Sequence, residues 1–246
     1  MSSLFNRLAN PTRFVRLATA ILPWTALLAL TCLGAGLYFA LFDSPADYQQ
    51  GESVRIMYVH VPSAWLAMAG YSTIAIASAC ALIWKHPLAD LVAKSASPIG
   101  ASFAFLCLVT GSLWGKPMWG TWWAWDARLT SVLILFFLYI GHSALLHAFD
   151  DPARGAKAAA VLALAGFVNV PIIKFSVDWW NTLHQPASIS KMGMPSIDPE
   201  MLRPLLLMAV GYTFFFVTVL LLRVKGEILA AKIRALRLGQ LQAQSQ

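Results

Sequence analysis

Five tryptophans crowd the stretch Leu113-Trp114-Gly115-Lys116-Pro117-Met118-Trp119-Gly120-Thr121-Trp122-Trp123-Ala124-Trp125-Asp126-Ala127-Arg128. Indole rings at that density make a flat, rigid, apolar shelf with N–H donors at its rim. The natural ligand of such a shelf is a large planar hydrophobe. An aromatic belt at the headgroup level accounts for two or three tryptophans. It fits five poorly, with Gly115, Pro117 and Gly120 shaping the backbone between them. Asp126 and Arg128 close the stretch. Aspartate is a favoured helix N-cap; Arg128 either snorkels or pairs with an acidic group of a ligand.

Histidine supplies the second kind of chemistry. His60 stands in Tyr58-Val59-His60-Val61-Pro62-Ser63, and His184 in Asp178-Trp179-Trp180-Asn181-Thr182-Leu183-His184. Spacing alone leaves two readings open. A membrane histidine commonly hydrogen-bonds a neighbouring helix. Two neutral imidazoles on opposite sides of a planar ligand also grip haem iron axially. His86 falls in a turn, and His142 and His147, five apart, do not share a helix face. Cys32, Cys80 and Cys107 form neither C-x-x-C nor C-x-x-C-H. The chain is therefore no c-type cytochrome, and the three thiols read as small packing residues.

The elements that must position these residues follow from composition. Of 246 residues, 59% are hydrophobic and 12% charged, against about 25% charged in a soluble domain. The mean hydropathy is +0.65. Disorder and a disulfide-stapled scaffold are both excluded. A bilayer core of about 30 Å needs roughly 20 apolar residues per helix. Six stretches approach that, near Ala18–Phe42, Met57–Trp84, Pro98–Trp114, Leu129–Ala148, Ala158–Phe175 and Pro204–Leu222. None alternates as a barrel strand does. The expectation is an all-α integral membrane protein, one six-span domain over residues 1–246. The first apolar run is too long for a cleaved signal peptide.

Orientation comes from the basic residues. Arg7, Arg13, Arg16, Lys85, Lys94, Arg154, Lys157, Arg223, Lys225, Lys232, Arg234 and Arg237 fall on one side; Arg55, Lys116, Arg128, Lys174, Lys191 and Arg203 fall on the other. Both termini are thus expected in the cytoplasm. The outer connections are expected near Asp43–Ile56, Gly115–Arg128 and Ser176–Arg203, and the inner ones near Lys85–Ser97 and Phe149–Lys157. The Trp-rich segment 114–128, His60 and His184 then share the outer face. The basic tail 223–246 reads either as a helix on the anionic inner leaflet or as an extension of span six, with Gln240–Gln246 frayed. Basic residues do not gather into one patch with interleaved aromatics, so nucleic acid is not an expected partner.

The run Trp119-Gly120-Thr121-Trp122-Trp123-Ala124-Trp125-Asp126, flanked by His60 and His184, resembles the tryptophan-rich "WWD" signature of the haem-handling proteins of cytochrome c biogenesis. Length and span number resemble the small branch of that family, cytochrome c maturation protein C, also called haem exporter protein C. The resemblance covers essentially the whole chain. It implies a haem-handling subunit of the bacterial inner membrane rather than an enzyme. Such a subunit presents non-covalent, transiently held b-type haem to a periplasmic chaperone, cytochrome c maturation protein E. It further implies ATP-binding-cassette partners A and B and a small single-span protein D.

Haem needs a planar apolar surface, axial ligands and cations for its propionates. Trp114, Trp119, Gly120, Trp122, Trp123, Trp125 and Asp126 are the candidates for the surface, and His60 and His184 for the iron. Charge and side make Arg55 and Arg128 the candidates for the propionates, with Lys116 behind them. Neutral imidazole is the ligating form, so acid is expected to loosen the iron. Two rivals remain on the residues: a permease subunit of an ABC-type exporter, resting on Asn169-Val170-Pro171 and Lys174, and a b-type electron carrier, resting on His142 and His147.

Overall fold

The structure is a computed structural model and describes residues 9–184 and 196–244. Arg7 and Lys191, two residues of the orientation count, lie outside those, as does the middle of the third outer connection.

Seven α-helices account for the described chain: α1 Pro11–Tyr38, α2 Met57–Trp84, α3 Ala89–Trp119, α4 Ala127–Leu145, α5 Pro152–Gly166, α6 Asn169–Trp179 and α7 Pro199–Gln244. A π-helical turn, Phe39–Asp43, ends α1, and a 3-10 segment, Glu52–Ile56, leads into α2. Six helical stretches are long and apolar enough to cross a membrane, with α5 and α6 together making the fifth. Large apolar side chains such as Leu30, Phe42, Ile76 and Ile83 are exposed, as a lipid-facing surface requires. This is a multi-pass all-α membrane fold.

Three expected boundaries move. The third span does not begin at Pro98: α3 starts at Ala89 and runs to Trp119. Ala89–Ser97 is too polar to register as a span, yet its small residues pack well, and Ala93, Ser95, Ala96 and Ser97 are buried. The inner connection shrinks to residues 85–88, with Lys85 in the left-handed region at φ 49°. The fifth span breaks after Gly166. Pro171 has no N–H to offer the preceding turn, and the buried Asn169 side chain donates to the Ser131 carbonyl at 2.8 Å. The tail is not a separate surface helix. Span six continues unbroken to Gln244, past the point where fraying was expected.

The core lies among α2, α3 and α4. Tyr71 and Tyr139 meet edge-on at 5.2 Å, and the Tyr139 hydroxyl donates to the Ala67 carbonyl at 2.7 Å. A Cβ on Gly100 would meet that hydroxyl at 2.1 Å, so only glycine lets α3 pass the tyrosine. The helix α1 packs along α7, where Gly36 faces Met208 and Gly211 faces Leu33. Small residues at such crossings let membrane helices approach closely.

One end of the bundle collects Phe14, Leu88, Val224 and Ile228, tied by a Lys94–Glu227 ion pair at 2.9 Å. The opposite end collects Ala40, Val54, Tyr58, Met201 and Trp114. Both described chain ends therefore belong to the first end, and the aromatic stretch to the second.

Candidate functional site

His60 lies one turn into α2 and faces α3. Its Nδ1 is 3.0 Å from the Thr110 hydroxyl. That hydroxyl also contacts the Leu106 carbonyl at 2.7 Å and the Cys107 carbonyl at 3.3 Å. The Trp114 ring stands edge-on to the imidazole at 5.6 Å. Trp114 is held in turn by donating its indole N–H to Gln50 at 2.9 Å.

His184 is seated by one carboxylate. Asp126 Oδ1 caps α4 by accepting from the Leu129 amide at 2.8 Å. Asp126 Oδ2 accepts from the Thr182 hydroxyl and lies 3.1 Å from His184 Nδ1. Thr182 also receives the His184 amide at 3.2 Å, closing a tight local turn. Burial would raise the Asp126 carboxyl. The hydrogen bonds from His184, Thr182 and the Leu129 amide outweigh it and hold the group at about 2. An ionised carboxylate only accepts, so a neutral His184 carries its proton on Nδ1 and keeps its lone pair on Nε2. The Trp119 ring packs on this imidazole at 4.9 Å.

The two histidines, 124 positions apart in the sequence, each stand against a tryptophan from the last turns of α3, Trp114 for His60 and Trp119 for His184. Among the described residues no cluster of three or more His, Cys, Asp or Glu could hold a bare metal ion. Two imidazoles match instead the two axial positions that a porphyrin leaves open on its iron. The donor set fits the expected haem.

The tryptophan stretch is not one loop. Trp114 and Trp119 belong to the last turns of α3, which Gly120 ends at φ 73°. Trp122, Trp123 and Trp125 lie in the connection 120–126, with Trp123 and Trp125 edge-on at 5.5 Å. Trp122 and Trp125 are exposed. The Trp123 indole N–H is buried with no acceptor among the described residues, a donor well suited to a ligand carboxylate. Asp126 is no part of the aromatic surface; it stands behind His184.

Both arginine candidates are engaged by the protein itself. Arg55 donates to the Ala40 carbonyl and pairs with Glu52, fastening α1 to α2. Arg128 donates from Nε to Ser176 at 3.2 Å and from Nη2 to the Ile173 and Lys174 carbonyls at 3.4 Å. Lys116 donates to the Gly120 carbonyl at 3.0 Å and lies over the Trp122 ring. His142 is buried far along α4 from Asp126, and His147 contacts the Ser143 carbonyl just beyond that helix. Neither joins the site. Thr110, Thr182 and Gln50, which hold His60, His184 and Trp114, carry no signal in the sequence: each is a common polar residue whose partner is fixed only by folding.

A family model described as "Heme exporter protein C" matches residues 4–239. Among similar proteins, "Heme exporter protein C" of Bradyrhizobium diazoefficiens is 58% identical, the match covering 95% of this chain and 88% of that one. The protein of that name from Haemophilus influenzae is 52% identical over 90% of each chain, and that of Escherichia coli K12 is 46% identical over 95% and 94%. On these matches the chain belongs to the heme exporter protein C family.

Proposed function

We propose that this protein holds haem at the periplasmic face of the bacterial inner membrane and delivers it to the periplasmic haem chaperone of cytochrome c biogenesis. His60 and His184 are the axial ligands, and Trp114, Trp119, Trp122, Trp123 and Trp125 form the surface against which the macrocycle lies. The chaperone is cytochrome c maturation protein E. ABC subunits A and B and the small protein D complete the assembly.

The observation that carries this reading is that two imidazoles stand at one end of the bundle, each against a tryptophan of the last turns of α3. Haem brings the iron and the planar hydrophobe; the chain contributes position. Asp126 and Thr182 fix the direction of the His184 ring. Exposed Trp122 and Trp125 leave one edge of the ligand within reach of water and of a chaperone. Trp123 offers an indole N–H to a propionate. No step here needs bond-making by the protein, which suits a transfer subunit rather than an enzyme.

The test is the spectrum of protein purified from haem-replete cells. The wild type is expected to show a low-spin, bis-histidine haem. The double variant His60→Ala, His184→Ala is expected to lose that spectrum and to stop loading the chaperone. Retention of both would defeat the reading. A colourless wild type would favour a permease, and rapid quinol-driven cycling untouched by His60→Ala would favour an electron carrier.

A further inference from the structure

Of the two candidate ligands, only His184 is backed by a charge. His60 sits at the crossing of α2 and α3, and two neighbouring residues of α3 meet its ring. A Cβ placed on Gly111 would fall 2.9 Å from His60 Cε1 and 3.5 Å from Nδ1. Any larger residue would drive the imidazole off α3. The Thr110 hydroxyl has one proton, and its shortest contact is to the Leu106 carbonyl at 2.7 Å. A carbonyl cannot donate, so that contact claims the proton. The lone pairs then face His60 Nδ1 at 3.0 Å, and a bond there requires the hydrogen on Nδ1; the Cys107 carbonyl is a second acceptor for this ring.

We propose that Thr110 and Gly111 are the positioning residues for His60: glycine admits the ring against α3, and threonine fixes the Nδ1–H tautomer so that Nε2 faces the haem iron. This rests on His60 being an axial ligand. It makes the two ligands unequal. A carboxylate behind His184 raises the basicity of that imidazole, whereas a neutral hydroxyl behind His60 orients without adding charge. His60 is the weaker ligand and the one that yields first when haem is handed on.

The proposal is tested first without haem. In ¹⁵N-histidine spectra of haem-free protein, the His60 signals are those missing from His60→Ala. They should show Nδ1 protonated and Nε2 bare. Thr110→Val, which keeps the shape and removes the hydroxyl acceptor, should weaken that preference; Thr110→Ser should keep it. With haem bound, Thr110→Val and Gly111→Ala should each release haem about 10–100-fold faster, and Thr110→Ser should behave as wild type. Haem release should also quicken more for Asp126→Asn than for Thr110→Val, since the stronger ligand is being weakened. A wild-type His60 protonated on Nε2, or Thr110→Val with unchanged tautomer and release rate, overturns the proposal while leaving His60 a ligand. A His60→Ala protein with wild-type haem spectrum overturns the ligand reading and this proposal with it.

Discussion

At the scale of single residues, Asp126 makes two attachments with one carboxylate. One oxygen starts α4 and the other holds Thr182 and His184. An unfolded aspartate titrates near about 3.9, whereas this one is held at about 2. The folded state therefore favours the ionised form. Its contribution to stability is complete above about pH 4 and disappears as pH falls through about 2. Asp126→Asn keeps a capping oxygen but loses the charge. The variant should be less stable by about 1–3 kcal/mol at neutral pH, and its deficit should vanish by about pH 2. Thermal unfolding in detergent across that range measures it, and a deficit independent of pH would show that the charge is not what matters. The candidate side chains stood out in the sequence because Trp and His have narrow chemistry. Their supports did not. Thr110 lies 50 positions from His60 and Asp126 lies 58 from His184, and nothing in a hydroxyl or carboxylate announces which distant ring it will meet.

At the scale of elements, the hydropathy pattern gave the number of spans, and side-chain chemistry set where the helices end. The small-residue start of α3 escaped a reading tuned to apolar runs, because burial between helices tolerates serine while lipid does not. The break between α5 and α6 was foreshadowed by Asn169 and Pro171, and the short helix beyond it is held by a side chain of α4. Arg128 reaches across from α4 and bonds Ile173, Lys174 and Ser176 of α6. The short helix that leads toward His184 is thus pinned to the helix that Asp126 caps. A lysine cannot reproduce a planar fork of donors. Arg128→Lys should cost about 1–2 kcal/mol and accelerate amide exchange in Asn169–Trp179, read by hydrogen–deuterium exchange mass spectrometry. Weaker haem binding with unaltered exchange in α6 would instead assign Arg128 to the propionates.

At the scale of the whole molecule, the decisive feature is polarity from end to end. The histidines and tryptophans gather where α1 ends and α2 begins, whereas the Lys94–Glu227 pair and the Arg223–Ser95 bond lie at the other end. An even number of crossings puts both termini on that second side. At about 1.5 Å per residue, the 46 residues of α7 extend about 70 Å, more than twice a bilayer core of about 30 Å. The surplus carries Lys232, Arg234 and Arg237 on an exposed helix. Moving those cations through lipid would be costly, so the projecting end is expected to stay where the chain is made, and the end that carries the histidines and tryptophans is expected to be the translocated one. Impermeant thiol labelling of intact cells checks this directly. Asn181→Cys, exposed beside His184, should react without permeabilisation, and Gln240→Cys only after it. The reverse pattern would place the indole surface in the cytoplasm, out of reach of any periplasmic chaperone, and the direction of haem delivery would have to be inverted.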